Sequence, residues 1–252
     1  MFRRIGVLSA LVVLGLVANA SPAAALVTIG QTQETVENCT SDFDWVQPTV
    51  TSGNPYVVPA GIPTGTITSW SSQANLHGGV MTMKVFRHVT GTTYRVIGHD
   101  GPRPMTASVI NTFSGFSIPV QAGDVLGVGA GTGLPGCIFD ATGDAAWLDP
   151  LRQDLADGEQ AAFQPQANNR LNLIAVVEPD ADHDGFGDET QDHCVGAAGP
   201  QNGCPAPAVA SASTPTGQRA AALNKCKKNA KKKDWTKQQL KKCKKKANLL
   251  PV

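Results

Sequence analysis

From Leu26 to Val177 the chain is rich in Val, Ile, Thr, Gly and Pro, turn signals recur at short intervals, and hardly any stretch has a helical period. Short β-branched runs punctuated in this way read as strands. The predicted strands are Thr66 to Ser71, Val80 to Val89, Thr93 to Ile97, Ser108 to Val120, Val125 to Val128 and Leu171 to Val177. MTMKVFRHV and TYRVI flank the turn Thr90-Gly91-Thr92 and read as a hairpin, and SIPV and VLGV are two strands joined by the tight turn Gln121-Ala122-Gly123-Asp124. Within TITSWSS, Ile67 and Ser69 share one face and Thr68 and Trp70 the other, which leaves open which face is the core. A helix is expected in this region only between Ala145 and Ala162. The fold class is therefore mainly β: an antiparallel β-sandwich, jelly-roll-like, over residues 26–177.

Outside that region the pattern changes three times. Residues 1–25 carry Arg3 and Arg4, an apolar run from Ile5 to Val17 and an Ala23-x-Ala25 site, the layout of a signal peptide removed to expose Leu26; Ala18 and Ala20 offer a second cleavage site after Ala20. The apolar run is short for a membrane span, so no transmembrane anchor is expected after cleavage, and the product is expected to be secreted or held at the cell surface. Residues 205–222, PAPAVASASTPTGQRAAA, have too little apolar surface to order themselves and read as a disordered tether. Residues 223–252 read as a short basic helical hairpin: Cys226 and Cys243 lie at nearly equal distances from an Asp234-Trp235 turn, and Thr236 with Gln239 forms a capping box for the second helix.

Charge sharpens this division. The formal net charge is only +1, but from Leu223 onward there are twelve lysines against the single acid Asp234, a net +11, whereas Leu26 to Ala222 carries nineteen Asp and Glu against seven Lys and Arg, a net −12. A lysine-rich segment with Trp235 as its sole aromatic suits an anionic cell-surface polymer held by charge alone. It has little with which to stack bases, and secretion also argues against nucleic acid.

Six cysteines in an exported chain point to three disulfides, and their placement favours Cys39 with Cys137, Cys194 with Cys204 and Cys226 with Cys243, one within each module. A zinc site is the rival, but there is neither a CxxC pair nor a histidine cluster.

The most informative stretch is EPDADHDGFGDETQDHC, from Glu178 to Cys194. Carboxylates at Asp180, Asp182 and Asp184 repel one another unless a hard cation sits among their oxygens. They occupy positions 1, 3 and 5 of a calcium loop, followed by Gly185 at the sharp-turn position, Phe186 where a backbone carbonyl serves, and Asp188 at position 9. Position 12 holds Gln191 instead of an acid, with Asp192 beside it, which predicts a weak site of roughly 10⁻⁴ to 10⁻³ M. The strand-like LNLIAVV run and Pro179 ahead of the loop argue against a helix-flanked loop. The segment resembles a thrombospondin type 3 repeat, DxDxDGxGDxxDxC, with one extra residue before the final Asp and Cys. The resemblance covers about fifteen residues and implies a calcium cofactor and an extracellular setting. Residues 178–204 thus form a calcium-binding loop closed by a disulfide.

No catalytic motif accompanies these features. His77, His88 and His99 are scattered, no Ser sits in a G-x-S-x-G elbow, and Asp140, Asp144, Asp149 and Asp154 read as ordinary surface acids before they read as a glycosidase pair. Trp45, Trp70 and Trp147 are expected in the core, although exposed rings could stack on sugars. The reading is a secreted, calcium-binding, non-enzymatic surface or adhesion-type protein, its sandwich facing a glycan or protein ligand. The alternative is a secreted carbohydrate-active enzyme or carbohydrate-binding module.

Overall fold

The structure, a computed structural model, describes residues 25–34, 36–37, 43–129, 135–151, 154–207 and 217–250. Nearly all of the expected signal peptide, Cys39 and the middle of the expected tether lie outside these residues. The chain divides into two compact units, Met1–Pro205 and Ala206–Val252.

The first unit contains, among the described residues, β1 (Val27–Gln31), β2 (Trp45–Val46), β3 (Thr64–Gln73), β4 (Gly79–Thr90), β5 (Thr93–Met105), β6 (Ile110–Gln121), β7 (Val125–Gly129), β8 (Ile138–Leu148), β9 (Gln160–Ala162), β10 (Gln164–Leu171) and β11 (Leu173–Pro179). They form a four-stranded sheet, β1-β11-β3-β6, and a seven-stranded sheet, β10-β8-β2-β7-β4-β5-β9. The pairings are antiparallel. Ile29, Ile67, Trp70, Ile118, Leu173 and Ala175 from the first sheet share a core with Met81, Met83, Val85, Leu126 and Val128 from the second. A second cluster, including Phe86, Tyr94, Val96, Leu155, Ala161 and Phe163, covers the other face of the larger sheet, where Phe163 meets Phe86 and Tyr94 edge to face.

The open question of Trp70 is settled by a β-bulge. Against β11 the register slips between Ile67 and Ser69, where Thr68 is the extra residue of β3, and the shift lets both Ile67 and Trp70 turn into the core. Trp70 stacks on Phe113 at 4.6 Å and donates its indole N–H to Asp100 Oδ2 at 2.7 Å. Trp45 is buried as well, and Trp147 is half-buried with its ring edge against Tyr94.

The β4–β5 hairpin turns at Thr90–Thr93, as expected. SIPV and VLGV are the end of β6 and the bulk of β7, but their connecting turn carries the chain from one sheet to the other. Buried Asp124 holds that corner: its Oδ2 accepts from Gln121 N at 2.7 Å, and Arg87 donates to both of its oxygens at 2.7 and 2.8 Å.

Among the described residues between Ala145 and Ala162 the expected helix is absent; that stretch contains the end of β8 and all of β9. Ala146 lies in the core and Trp147 packs with the second cluster, a period of two that pairing with β2 and β10 outweighs the helix propensity of Ala145 and Ala146 to enforce.

The second unit is a helical hairpin, α1 (Gly217–Lys232) and α2 (Lys237–Ala247). α1 begins six residues before Leu223, so the end of the expected tether, residues 217–222, is helical and not extended. Thr236 caps α2 in the expected capping box with Gln239, and the Cys226–Cys243 disulfide joins the helices with Cα atoms 5.8 Å apart. Only Cys226 and Ala247 are fully buried in the two helices, so the disulfide replaces much of the apolar core that so short a pair lacks. Among the described residues no helix is long and apolar enough to cross a membrane.

Candidate metal centre

The acidic loop grows directly out of β11 and folds back on the first sheet. Its keystone is Glu178, an acid 1 % exposed at the strand end. Glu178 Oε1 accepts from the hydroxyls of Thr68 at 2.8 Å and Thr190 at 2.7 Å, and Oε2 accepts from the N–H groups of Glu189 at 3.1 Å and Thr190 at 2.8 Å. Gly187 lies so close that a Cβ there would sit 2.6 Å from Glu178 Oε2. Further ties come from Gln191, which donates to Phe116 O at 2.8 Å, and from His183 Nε2, 2.9 Å from Thr64 Oγ1.

Within the loop, Asp180, Asp182 and Asp184 each offer an oxygen within 4.8 Å of the others. Asp180 accepts from Asp184 N at 3.1 Å and Gly185 N at 3.0 Å, and Asp184 accepts from Phe186 N and Gly199 N, each at 3.0 Å. The Gly199 contact brings the Cys194–Cys204 disulfide loop onto the acidic cluster. Gly185 has φ +90°, which accounts for glycine at the turn position. Asp182 differs from its neighbours: both of its carboxylate oxygens are buried and have no hydrogen-bond partner, and neither does Asp192 Oδ2. A buried carboxylate without a donor is costly, and a cation among these oxygens would relieve that cost.

Asp188 Oδ1 accepts from Ala181 N at 3.1 Å. Burial pushes its carboxyl above the ordinary range against the pull of that N–H, and the neighbouring charges of Asp180, Asp192 and Asp182 push it the same way. Phe186 lies in the turn between Gly185 and Gly187. Gln191 spends its side-chain oxygen on Ser117 Oγ at 2.7 Å and Gly187 N at 3.3 Å, whereas Asp192 keeps Oδ2 free while Oδ1 accepts from Cys194 N at 2.6 Å. Gly203 makes room for Asp192, since a Cβ there would lie 1.7 Å from Oδ1.

Sequence reasoning located this loop but assigned no role to Glu178, to Gly199 or to the first sheet. The loop's contacts with that sheet span up to 119 positions, and no local spacing announces them. Of the three expected disulfides, Cys194–Cys204 and Cys226–Cys243 are present. Cys137 is disulfide-bonded, and Cys39 lies outside the described residues. Three of the acids weighed as catalytic are engaged structurally. Asp144 pairs with Arg170, Asp149 Oδ1 accepts from Leu151 N at 2.9 Å, and Asp154 contacts Lys84 at 2.7 Å. The side chains of all twelve lysines of the second unit are exposed.

No protein-family model, curated protein or solved structure matches the chain.

Proposed function

We propose that this is a secreted, calcium-binding, non-enzymatic surface or adhesion-type protein, in which a jelly-roll-like sandwich carries one calcium ion and the lysine-rich helical unit holds to an anionic surface polymer. The observation that carries the calcium reading is Asp182, whose two buried oxygens lack any donor and lie beside Asp180 and Asp184. The donor set is all oxygen, which suits a hard cation; zinc would call for nitrogen or sulfur. The ligands are Asp180, Asp182 and Asp184, the carbonyl of Phe186, and Asp188 directly or through water. Asp192 supplies the last carboxylate, since Gln191 is committed to Ser117 and Phe116. Glu178 holds the loop in place without being a ligand.

Calcium titration calorimetry on the full chain and on Asp184→Ala tests this reading: the wild type gives a binding isotherm in the range of roughly 10⁻⁴ to 10⁻³ M and the variant none. Absence of calcium heat in the wild type contradicts it. The polymer reading rests on the exposed lysines. Heparin-like beads retain the full chain at low salt and release it as salt rises, because exposed charges are screened over about 8 Å at physiological ionic strength. A chain ended before Gly217 binds as well only if the helical unit is not the anchor.

A further inference from the structure

Lys84 is the one lysine between Leu26 and Ala222. Strand β4 places it inside the larger sheet, 2 % exposed, in the middle of the apolar run MTMKVF. Its side chain crosses the neighbouring strand β7 at Gly129, where a Cβ would lie 2.5 Å from Lys84 Cε and 3.2 Å from Asp44 Oδ1. Glycine at that position leaves a path from β4 to the residue that precedes β2. At the far end of the path, Lys84 Nζ stands 2.9 Å from each oxygen of Asp44, 2.7 Å from Asp154 Oδ1 and 2.7 Å from the carbonyl of Leu155. Asp44 is 0 % exposed, and Leu155 N–H donates to its Oδ2 at 3.0 Å.

An amine and a carboxylic acid do not condense in water, because both are ionised and solvated and meet only briefly. Here solvation is removed and the two groups are held in contact. Burial pushes the Asp44 carboxyl up to about 6 against the pull of Lys84. We propose that Lys84 and Asp44 join through an intramolecular amide between Nζ and Cγ, with Asp154 carrying the proton.

The step balances without any outside reagent. One proton passes from the ammonium to Asp44, giving an amine and a carboxylic acid. The nitrogen lone pair attacks Cγ, and the charge that develops on Oδ2 is met by the Leu155 N–H. Asp154 then takes a proton from the nitrogen and delivers it to the departing hydroxyl, the Cγ–OH bond breaks, and one water leaves. Asp154 ends as it began. A cavity of about 210 Å³, lined by Thr82, Lys84, His99, Asp154 and Leu155 among others, adjoins the amine and can receive the water.

The bond also has a structural use. β2 has only two residues yet sits within the larger sheet, between β7 and β8. A covalent link from Asp44 to β4 fixes its start across β7 and removes two buried charges. This inference does not depend on the calcium reading.

The test is peptide mapping of the full secreted chain after reduction of its disulfides and denaturation. The expected result is one tryptic product in which the peptides bearing Asp44 and Lys84 are joined, lighter than their sum by one water, with no cleavage after Lys84. Lys84→Arg yields separate peptides. Asp154 has a side chain 74 % exposed, so Asp154→Asn leaves the fold intact; it slows joining by about 10²-fold, the scale of a lost acid–base group. Separate, unmodified peptides from the folded wild type overturn the proposal whatever the variants do. Joining at the wild-type rate in Asp154→Asn overturns the role given to Asp154.

Discussion

Replacing Glu178 tests whether the acidic loop is held by the sandwich or only attached to its end. Glu178→Ala removes an acceptor of four hydrogen bonds that is 1 % exposed. The Thr68 hydroxyl is buried between the sheet and the loop and loses its partner outright, whereas the Glu189 and Thr190 groups, being nearer solvent, recover part of the loss through water. At about 1–3 kcal/mol for each buried donor left unsatisfied, and with discount for the three nearer solvent, the variant costs about 3–5 kcal/mol. Glu178→Gln behaves differently. Its amide oxygen can accept from the two backbone N–H groups while its NH₂ donates to the two threonine hydroxyls, which accept as readily as they donate; the cost falls to about 1 kcal/mol. Chemical denaturation of the three proteins in chelator measures this order, and calcium titration shows whether affinity falls in parallel. A cost for Glu178→Ala below that of Glu178→Gln, or an unchanged calcium affinity in Glu178→Ala, refutes the reasoning.

Three further outcomes follow from named contacts. Gly187→Ala puts a Cβ 2.6 Å from Glu178 Oε2 and 2.8 Å from Glu178 Cβ, so it displaces the loop and weakens calcium binding in calorimetry. Asp144 is subject to the upward push of burial, but hydrogen bonds from the Thr51 hydroxyl and N–H together with Arg170 outweigh it and hold its carboxyl below the ordinary value. Its stabilisation is therefore complete above the unfolded carboxylate range and is lost as pH falls through the folded value, and Asp144→Ala, which strands Arg170, costs about 3–5 kcal/mol at neutral pH and flattens the acid limb of the stability curve. Cys226→Ser with Cys243→Ser removes a link worth about 3 kcal/mol from a helical pair with almost no apolar interior, so the helical circular-dichroism signal falls while the sheet signal stays.

The parts of this fold that were legible in the sequence are those set by local chemistry. The Thr90-Gly91-Thr92 turn, the β-branched runs of β3, β4 and β11, the capping box at Thr236 and Gln239, and the glycine of the acidic loop all follow from neighbouring residues. What escaped is set by distant ones. β10 is polar and contains Pro165, tolerated because β10 is the edge strand of its sheet among the described residues, and β1 and β2 are too short to show a period. β8 was hidden by Ala145 and Ala146, whose helix propensity yields to pairing on both sides. The bulge after Ile67, seen in the pairing with β11, reverses the face of every later residue in β3, and no spacing in TITSWSS reveals it. In the acidic loop the ligand candidates were readable from their alternation. Glu178 was not, since its role depends on Thr68, 110 positions away in the sequence. Lys84 did leave a signal, a single lysine within an apolar run, whose meaning emerges only when Asp44 and Asp154 converge on it.

The central claim is that the carboxylate of Asp182 has no purpose in the fold except to hold a cation. Thermal unfolding of the wild type and of Asp182→Asn, each with chelator and with excess calcium, tests it most directly. At ten times its dissociation constant, calcium stabilises the wild type by about 1.4 kcal/mol, which raises Tm by about 3–5 °C. Asp182→Asn removes a negative charge that has no donor, so its Tm in chelator lies above that of the wild type and does not rise when calcium is added. A variant less stable than the wild type in chelator, with a calcium response that survives, contradicts the account.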